Sequence, residues 1–350
     1  MAYKFNEIRL DKGMYSEAGK SFEQVLESLD PNENYKGTAY EGLDAFQRQL
    51  KRFNIKVSGP DSSVVGKFFQ TSDAAVLFPE YLTRVIRCGI DEANYLSNIV
   101  ATTTNVDSMD YRAVDFKLDS DDDDNDDSRE VWTSLAEGAE VPEATYTIGD
   151  RLVRLRKRGK LFSASYDAIR FQRLDVVAVA LKKIGAAIAH NITADAMRTI
   201  FEGDDEDGTN AAVVTEVTSF NFNNLVDFWA GFSPYRLTTL VTAPTVAASL
   251  IKMSEFRDSA AGLDFHGTGK LISPFGADLI SAKGLVPEGA IVGLDKNYAL
   301  EHLKVGGIEV EYGKLIDHQL EKVVITSIDG FAKIFEGASG VIATSGGEEW

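Results

Sequence analysis

The stretch LDVVAVALKKIGAAIAHNITADAMRTIFEG, residues 174–203, constrains the fold most, because no other segment keeps an unbroken helical period for as long. Asp175 stands where a carboxylate favours a helix N-terminus, and Gly203 follows the last periodic residues as a glycine beyond a helix end does. Alanine and glycine fill much of the remaining circumference, so other elements can approach from several sides. The sequence therefore predicts a central spine helix of roughly 40 Å. Its periodic apolar face comprises Val177, Leu181, Ile184, Ile188 and Ile192.

The length of 350 residues and a hydrophobic content of 44% predict two or three domains with buried cores. No apolar run reaches the length of about 18 residues that a membrane helix needs, and the first residues, MAYKFNEIRL, lack a signal-peptide core. We therefore expect a soluble, cytosolic protein without membrane contact. The single cysteine, Cys88, excludes an internal disulfide. The net charge of −18 argues against a broad nucleic-acid-binding surface, which requires a basic footprint.

The chain before the spine helix divides into two stretches at the loop SGPDSS, residues 58–63. Residues 1–63 contain two short helical patterns, near 21–29 and 42–53, and are interpreted as a small appendage. In residues 64–112 only the piece at 81–90 has a helical pattern, and the remainder is β-branched and extended in character. We expect this second stretch to be an extended arm with little capacity to fold alone.

The most polar segment, LDSDDDDNDDSRE, carries seven aspartates between Asp119 and Asp127. Its alternate acidic positions match the ligand spacing of a calcium loop, but Asp124 stands where the sharp turn of such a loop requires glycine. A flexible solvated loop is the favoured interpretation, and ion pairs with a neighbouring molecule are the alternative. Asp121 and Asp123 are the candidate contacts for that alternative.

Four cations alternate along LVRLRKRGK, residues 152–160, while Val153 and Leu155 point to the opposite side of the predicted strand. Such a strand can be a solvated edge that resists aggregation. It can also contact an acidic surface of another copy of the chain. We call this set the basic ladder: Arg154, Arg156, Arg158 and Lys160.

Helical and strand patterns alternate irregularly after the spine helix, which predicts an α+β fold and not a regular βαβ series. Helices are predicted at 223–232 and 244–253. Strands are predicted at 213–222, 238–242, 271–272, 279–281, 290–294, 308–312, 323–328 and 331–335.

The sequence offers no enzyme signature. Its histidines, His190, His266, His302 and His318, lack the spacing of metal ligands. HGTGKL, residues 266–271, has only the Gly-Lys pair of a phosphate-binding loop, since Asp264 and Leu271 occupy the positions of its first glycine and its final Ser or Thr. We therefore predict no catalytic residues, no metal site and no cofactor.

Several sequence segments resemble those of the major capsid proteins of tailed bacteriophages, which share the Hong Kong 97-type fold. TSDAAVLFPEYL, residues 71–82, resembles that family's N-arm, and SASYDAIR leading into LDVVAVALKKIG resembles its extended loop entering the spine helix. VGLDKNYALEHL and YGKLIDHQLEKVVITSIDGFAKIF resemble the C-terminal half of phage coat proteins. The resemblance implies an N-terminal segment (1–63), N-arm (64–112), extended loop (113–170), spine helix with peripheral domain (171–220), axial domain (221–305) and C-terminal strands (306–350).

The same resemblance implies function and partners. The chain would form hexamers and pentamers of an icosahedral shell around double-stranded phage DNA, with scaffolding, portal and decoration proteins as further partners. It would be assembled in the bacterial cytoplasm and located in the virion capsid. The alternatives are an encapsulin-like shell protein, an acidic calcium-binding surface protein, and a hydrolase with an unrecognised site.

The type member of this fold joins subunits by an isopeptide bond between a loop lysine and an asparagine late in the chain. Lys157 and Lys160 lie in the loop here, but no asparagine follows Asn297. Because the chain departs from the type member in this respect, we predict a shell without covalent cross-links.

Overall fold

The computed structural model describes residues 4–16, 20–118, 135, 137–138, 144–165, 171–204, 210–257, 274–315, 317 and 319–344. The chain forms two compact units, each built from several separate segments. The first unit comprises Met1–Ala93, Arg158–Ala189 and Ile308–Thr326, and the second comprises Asn94–Lys157, His190–Gly307 and Ser327–Trp350. Both units contain helices and strands, which confirms the predicted α+β class.

The N-terminal residues belong to the core of the first unit, so the interpretation as an appendage is wrong. Helix α1 (Phe22–Leu29) and helix α2 (Ala45–Arg52) each begin with a capping box. The Ser21 hydroxyl and the Asp44 carboxylate accept the backbone N–H three residues further on, which fixes both helix starts. Apolar side chains of both helices then join one buried cluster with residues of the spine helix, including Phe22, Leu26, Phe46, Leu50 and Leu181.

An extended arm was also the wrong prediction for much of residues 64–112, because Ser72–Glu92 is a 21-residue helix, α3. The Thr71 hydroxyl caps its start by accepting the N–H of Ala74 at 3.1 Å. The sequence signal was weak for two reasons. Pro79 lies inside the helix, where proline removes a backbone donor, and the buried residues of α3 surround much of its circumference instead of forming one stripe.

The spine helix is confirmed as α4 (Leu174–Glu202), and Gly203 beyond its end has the left-handed φ of +93° that favours glycine. In the first unit α4 crosses α3 at backbone contact. A Cβ added at Gly185 would lie 2.3 Å from the Ile86 carbonyl oxygen, and one added at Gly89 would lie 2.3 Å from the Lys182 carbonyl oxygen. Only glycine permits this approach at either position.

By length and composition alone α4 could also span a membrane, since its best window has a mean hydropathy of 1.3. Core helices of proteins without membrane contact satisfy the same criteria. Leu174 and Leu181 are buried in the core of the first unit, and Met197 and Ile200 are buried further along the helix. Helix α4 therefore packs against protein at these positions, and 28% of its most apolar window is buried.

The strands in chain order are β1 (Val100–Asn105), β2 (Asp110–Leu118), β3 (Ala144–Arg154), β4 (Arg156–Ser165), β5 (Val214–Val217), β6 (Thr239–Thr242), β7 (Asp278–Ser281), β8 (Ala290–Leu294), β9 (Leu300–Lys304), β10 (Glu309–Leu315), β11 (Leu320–Lys333) and β12 (Ser339–Thr344). In the first unit β10 and β11 form an antiparallel hairpin, with Val310 opposite Ile325, and β4 pairs with β11. The two strands predicted at 323–328 and 331–335 are thus one continuous strand, because Asp329 and Gly330 stay in the ladder with β9.

The second unit is built on a mixed sheet in the order β5-β12-β8-β6-β7. The helices of this unit after α4 are α5 (Phe222–Ala230), α6 (Pro244–Ile251) and α7 (Ser254–Arg257). Leu225, Phe232, Leu240, Leu250 and Ile291 form its core. The predicted strand at 213–222 is shorter than expected, since α5 begins at Phe222. The predicted strand at 271–272 lies outside the described residues.

The extended loop contains an antiparallel pair, β2 with β3, whose register runs from Asp110 opposite Arg154 to Leu118 opposite Ala144. The strand predicted along residues 152–160 corresponds to the end of β3 and the first half of β4. The boundaries proposed for N-arm, extended loop, peripheral and axial domains stay predictions.

Candidate assembly interface

The basic ladder has the alternation that the sequence predicted, but it is not one uninterrupted strand. Strand β3 ends at Arg154 and β4 begins at Arg156, and the N–H of Leu155 between them donates to the Met109 carbonyl at 2.8 Å. Val153 and Leu155 are buried, whereas Arg154, Arg156 and Lys160 are exposed and Arg158 is half-buried. The apolar residues thus hold this segment on the protein, while Arg154, Arg156 and Lys160 face solvent.

The contacts of the ladder with acidic groups are weak where the structure describes them. The Nε atom of Arg154 lies 3.7 Å from Oδ1 of Asp110, and both side chains are about 60% exposed. An ion pair of that kind contributes about 0–1 kcal/mol. The other proposed acidic contacts, Asp121 and Asp123, lie outside the described residues, so their pairing with the ladder stays a prediction.

A buried polar network close to the ladder in sequence was not predicted. Asp204 accepts the backbone N–H of Lys333 at 2.7 Å and the side-chain amide of Asn210 at 3.0 Å, and it pairs with Arg151 at 3.2 Å. The Lys333 ammonium donates to the Asn210 carbonyl at 2.7 Å. Burial lowers the pKa of Lys333, while the Asp204 carboxylate opposes that shift. The network ties β3, the residues after α4, and the end of β11 together.

No local signal could have identified this network. Arg151 and Lys333 are 182 positions apart, and each is an ordinary cation in its own segment. Only the folded second unit brings them to the same carboxylate.

A cleft of about 520 Å³ adjoins the network in the second unit, between the β5 edge of the sheet and α5. Alternate residues of the β5 segment face it, as a strand requires. Asp227 and Glu336 are exposed residues of its lining. The hydroxyl of Ser339, another lining residue, is buried and has no hydrogen-bond partner in the described part of the chain. The apolar lining includes Val213, Val217, Phe228 and Phe232.

The described histidines, His190 and His302, make contacts within the fold. Nε2 of His190 lies 2.8 Å from the Lys283 carbonyl oxygen, and His302 stacks on Phe331 with ring centroids 4.9 Å apart. Burial lowers the pKa of His302 to about 4, and the nearby Lys304 charge acts in the same direction. Within the described ranges, no group of His, Cys, Asp and Glu could hold a metal ion. His266, His318 and the possible calcium loop at 119–130 lie outside those ranges.

Asn297, the last asparagine in the chain, belongs to a turn before β9. Its backbone N–H and its side-chain amide both donate to Oδ1 of Asp295, at 3.0 and 3.2 Å. Asp295 also accepts the N–H of Arg236 at 2.9 Å. These contacts give Asn297 a structural role in the turn.

We expect the triple variant Arg154→Glu, Arg156→Glu and Arg158→Glu to impair association of subunits while leaving the subunit folded. Arg154 and Arg156 are exposed and Arg158 is half-buried, so the three substitutions remove no buried apolar side chain, and single exposed pairs would be too weak to matter alone. Light scattering of assembly, with circular dichroism as the folding check, measures this. The matched control is Lys36→Glu, Lys56→Glu and Lys252→Glu, which makes the same charge change at exposed lysines elsewhere. Normal assembly of the ladder variant would contradict the prediction.

The chain is similar to known proteins over most of its length. The family model described as "Phage capsid protein" matches residues 149–337. Among solved structures, a virus-like particle from Pyrococcus furiosus is 12% identical with a TM-score of 0.49, covering 75% of this chain and 98% of that one. The mature capsid of bacteriophage PhiM1 is 9% identical with a TM-score of 0.47, covering 72% and 87%. The capsid of a native GTA particle is 15% identical with a TM-score of 0.48, covering 72% and 91%. No curated protein matches the chain.

Proposed function

The chain belongs to the phage capsid protein family, and on that premise we propose that it is a major capsid protein that self-assembles into an icosahedral shell around double-stranded phage DNA. The observation that carries this proposal is the family match, which spans more than half of the chain. It includes β4, the whole of the spine helix α4, and the β10–β11 hairpin. The function is therefore structural.

The extended loop supports assembly on physical grounds. Beyond Val114 and Ile148 the strands β2 and β3 pair only with each other in the described part of the chain. An isolated two-stranded hairpin is marginally stable in water, and a third strand or a packing partner is needed to stabilise it. A neighbouring copy in a shell would supply that partner.

The net charge of −18 suits a container for DNA. A wall of like charge does not hold the packaged phosphate backbone tightly, so the genome can enter and leave. Within this proposal, the copies are arranged as hexamers and pentamers. Scaffolding, portal and decoration proteins are further partners, and assembly takes place in the host cytoplasm before the protein becomes part of the virion.

We expect the purified protein to form closed particles, either alone or with its scaffolding partner, because β2 and β3 have no third strand in the described part of the chain and a neighbouring copy would supply a packing partner. Negative-stain electron microscopy measures this directly. A chain that stays monomeric at high concentration under both conditions would contradict the proposal. The nucleic acid content of particles isolated from infected cells separates a phage capsid from an encapsulin-like compartment, since the compartment would contain protein cargo in place of DNA.

A further inference from the structure

Two strands of this chain are sheet edges with opposite charge. Strand β4 pairs with β11 on one side, and strand β5 pairs with β12 on one side. In the described ranges no strand pairs with the other side of either one. An unpaired edge presents backbone donors and acceptors, which makes it a template for a strand from another chain.

The β4 edge is basic and the surroundings of the β5 edge are acidic. Arg156, Lys157 and Lys160 on β4 are exposed. Glu216 on β5 is exposed, and Asp227 and Glu336 are exposed beside it at the cleft. No ion pair to these three carboxylates is found in the part of the chain that the structure describes. Two β4 edges would repel each other, whereas a β4 edge and a β5 edge attract.

We propose that the β4 edge of one copy adds to the β5 edge of a second copy, with a ladder arginine entering the cleft beside β5. The second copy is the occupant because it carries the complementary strand, and this inference rests on the proposed shell function. The contact is heterologous, since a different surface of each copy takes part. A heterologous contact that closes by rotation generates rings, which is the form that hexamers and pentamers have.

The cleft has the chemistry that an arginine side chain requires. Phe228 and Phe232 offer apolar surface to the aliphatic stem and aromatic surface to the guanidinium. Asp227 and Glu336 offer carboxylates at the same cleft, and the buried Ser339 hydroxyl offers a further acceptor.

Lys333 is the one cation among the described residues that line the cleft, and its charge is already engaged. Its ammonium donates to the Asn210 carbonyl, and Asp204 lies in the same buried network. The two exposed carboxylates therefore decide the sign of the charge that the cleft attracts.

The residues in and next to strand β5 also leave apolar surface that a strand from another copy could cover. Val213, Thr215 and Val217 line the cleft, while Val214 and Glu216 alternate to the other side. Val213 is 85% exposed and Val214 is 43% exposed, so an added strand would cover apolar surface on both sides.

A charge-swap experiment tests the contact without knowledge of the register. The acidic-edge variant carries Glu216→Lys, Asp227→Lys and Glu336→Lys, and the ladder variant carries Arg154→Glu, Arg156→Glu and Arg158→Glu. We expect each variant alone to raise the protein concentration at which half of the chains are in shells by on the order of tenfold at low salt. Combining all six substitutions in one chain should restore most of that loss. The control Asp91→Lys, Asp107→Lys and Glu255→Lys, at exposed acids elsewhere, should leave the concentration unchanged.

The outcomes separate this inference from the proposed function. If the wild-type chain forms no shells, the proposed function fails and the inference fails with it. If the wild type forms shells but the acidic-edge variant assembles like its control, or the combined variant is not rescued, the contact is wrong and the shell function stands. Amide hydrogen exchange of the wild type gives a second readout that needs no variant. The amides of β4 and β5 should exchange more slowly in shells than in unassembled subunits, and unchanged exchange would overturn the proposal.

Discussion

Replacing Gly185 by alanine should destabilise the first unit by about 3 kcal/mol, even though alanine favours a helix by about 1 kcal/mol over glycine. The added Cβ would lie 2.3 Å from the carbonyl oxygen of Ile86 and 2.9 Å from the backbone nitrogen of Ile90. Both atoms belong to the backbone of α3, so no side chain can rotate to make room. Helices α3 and α4 would have to separate, and the residues buried around their crossing, such as Ile86 and Leu181, would lose contact.

The midpoint of urea denaturation measures this loss. Gly89→Ala should behave alike, because its Cβ would lie 2.3 Å from the Lys182 carbonyl oxygen. Gly313→Ala is the matched control, since no described atom lies within 4 Å of a Cβ added there. An unchanged midpoint for Gly185→Ala would show that the two helices do not cross at backbone contact.

Replacing Arg48 by methionine should cost about 3–5 kcal/mol of stability, because it leaves a buried carboxylate without its cation. Arg48 and Asp30 are both fully buried, and Nε of Arg48 lies 2.6 Å from Oδ2 of Asp30. Arg48 also donates to the side-chain oxygen of Asn32 at 2.7 Å, and its guanidinium lies 4.2 Å from the centre of the Tyr35 ring. Tyr35 donates to Oδ1 of Asp30 at 2.5 Å, and burial together with that hydrogen bond raises its pKa to about 12. Arg48 thus connects α2 to the residues after α1.

Thermal and urea denaturation both report this loss. The double variant Arg48→Met with Asp30→Asn should be more stable than Arg48→Met alone, because the uncompensated charge is removed with its partner. Lys51→Met on the same helix is the control. Lys51 is exposed, so we expect a change of less than about 0.5 kcal/mol. If Arg48→Met and Lys51→Met were equally stable, Arg48 would contribute no more to stability than a surface cation does.

The local features of this chain could be predicted from its sequence. The period of residues 174–203 predicted α4 and its terminal glycine, and short helical patterns predicted α1 and α2. The alternation around Val153 and Leu155 predicted which side of the basic ladder is buried. These features depend on residues a few positions apart in the sequence. The geometry of a helix or a strand places residues with a regular spacing on the same face of that element.

Features that depend on distant residues were decided by the tertiary structure. Within Ser72–Glu92 only residues 81–90 were expected to be helical, because Pro79 and the absence of a single apolar stripe weaken the helical signal. The whole segment is a helix because several partners bury it at once. The N-terminal residues, which were interpreted as an appendage, belong to a core because side chains from several other segments bury them. Gly89 and Gly185 are ordinary glycines in the sequence, and only the crossing of two helices makes their missing side chains essential.

The candidate interface divides in the same way. The sequence by itself determined the cations of the ladder and the sign of the net charge, since both follow directly from the order and the identity of the residues. The tertiary structure alone decided which acids could receive those cations, because Glu216, Asp227 and Glu336 come from separate segments that meet around one sheet edge and its cleft. It also placed Asp204 against Arg151 and Lys333. A contact between residues far apart in the chain produces no periodic pattern in the sequence. The backbone between the two residues can be of any length, and only the fold brings them together.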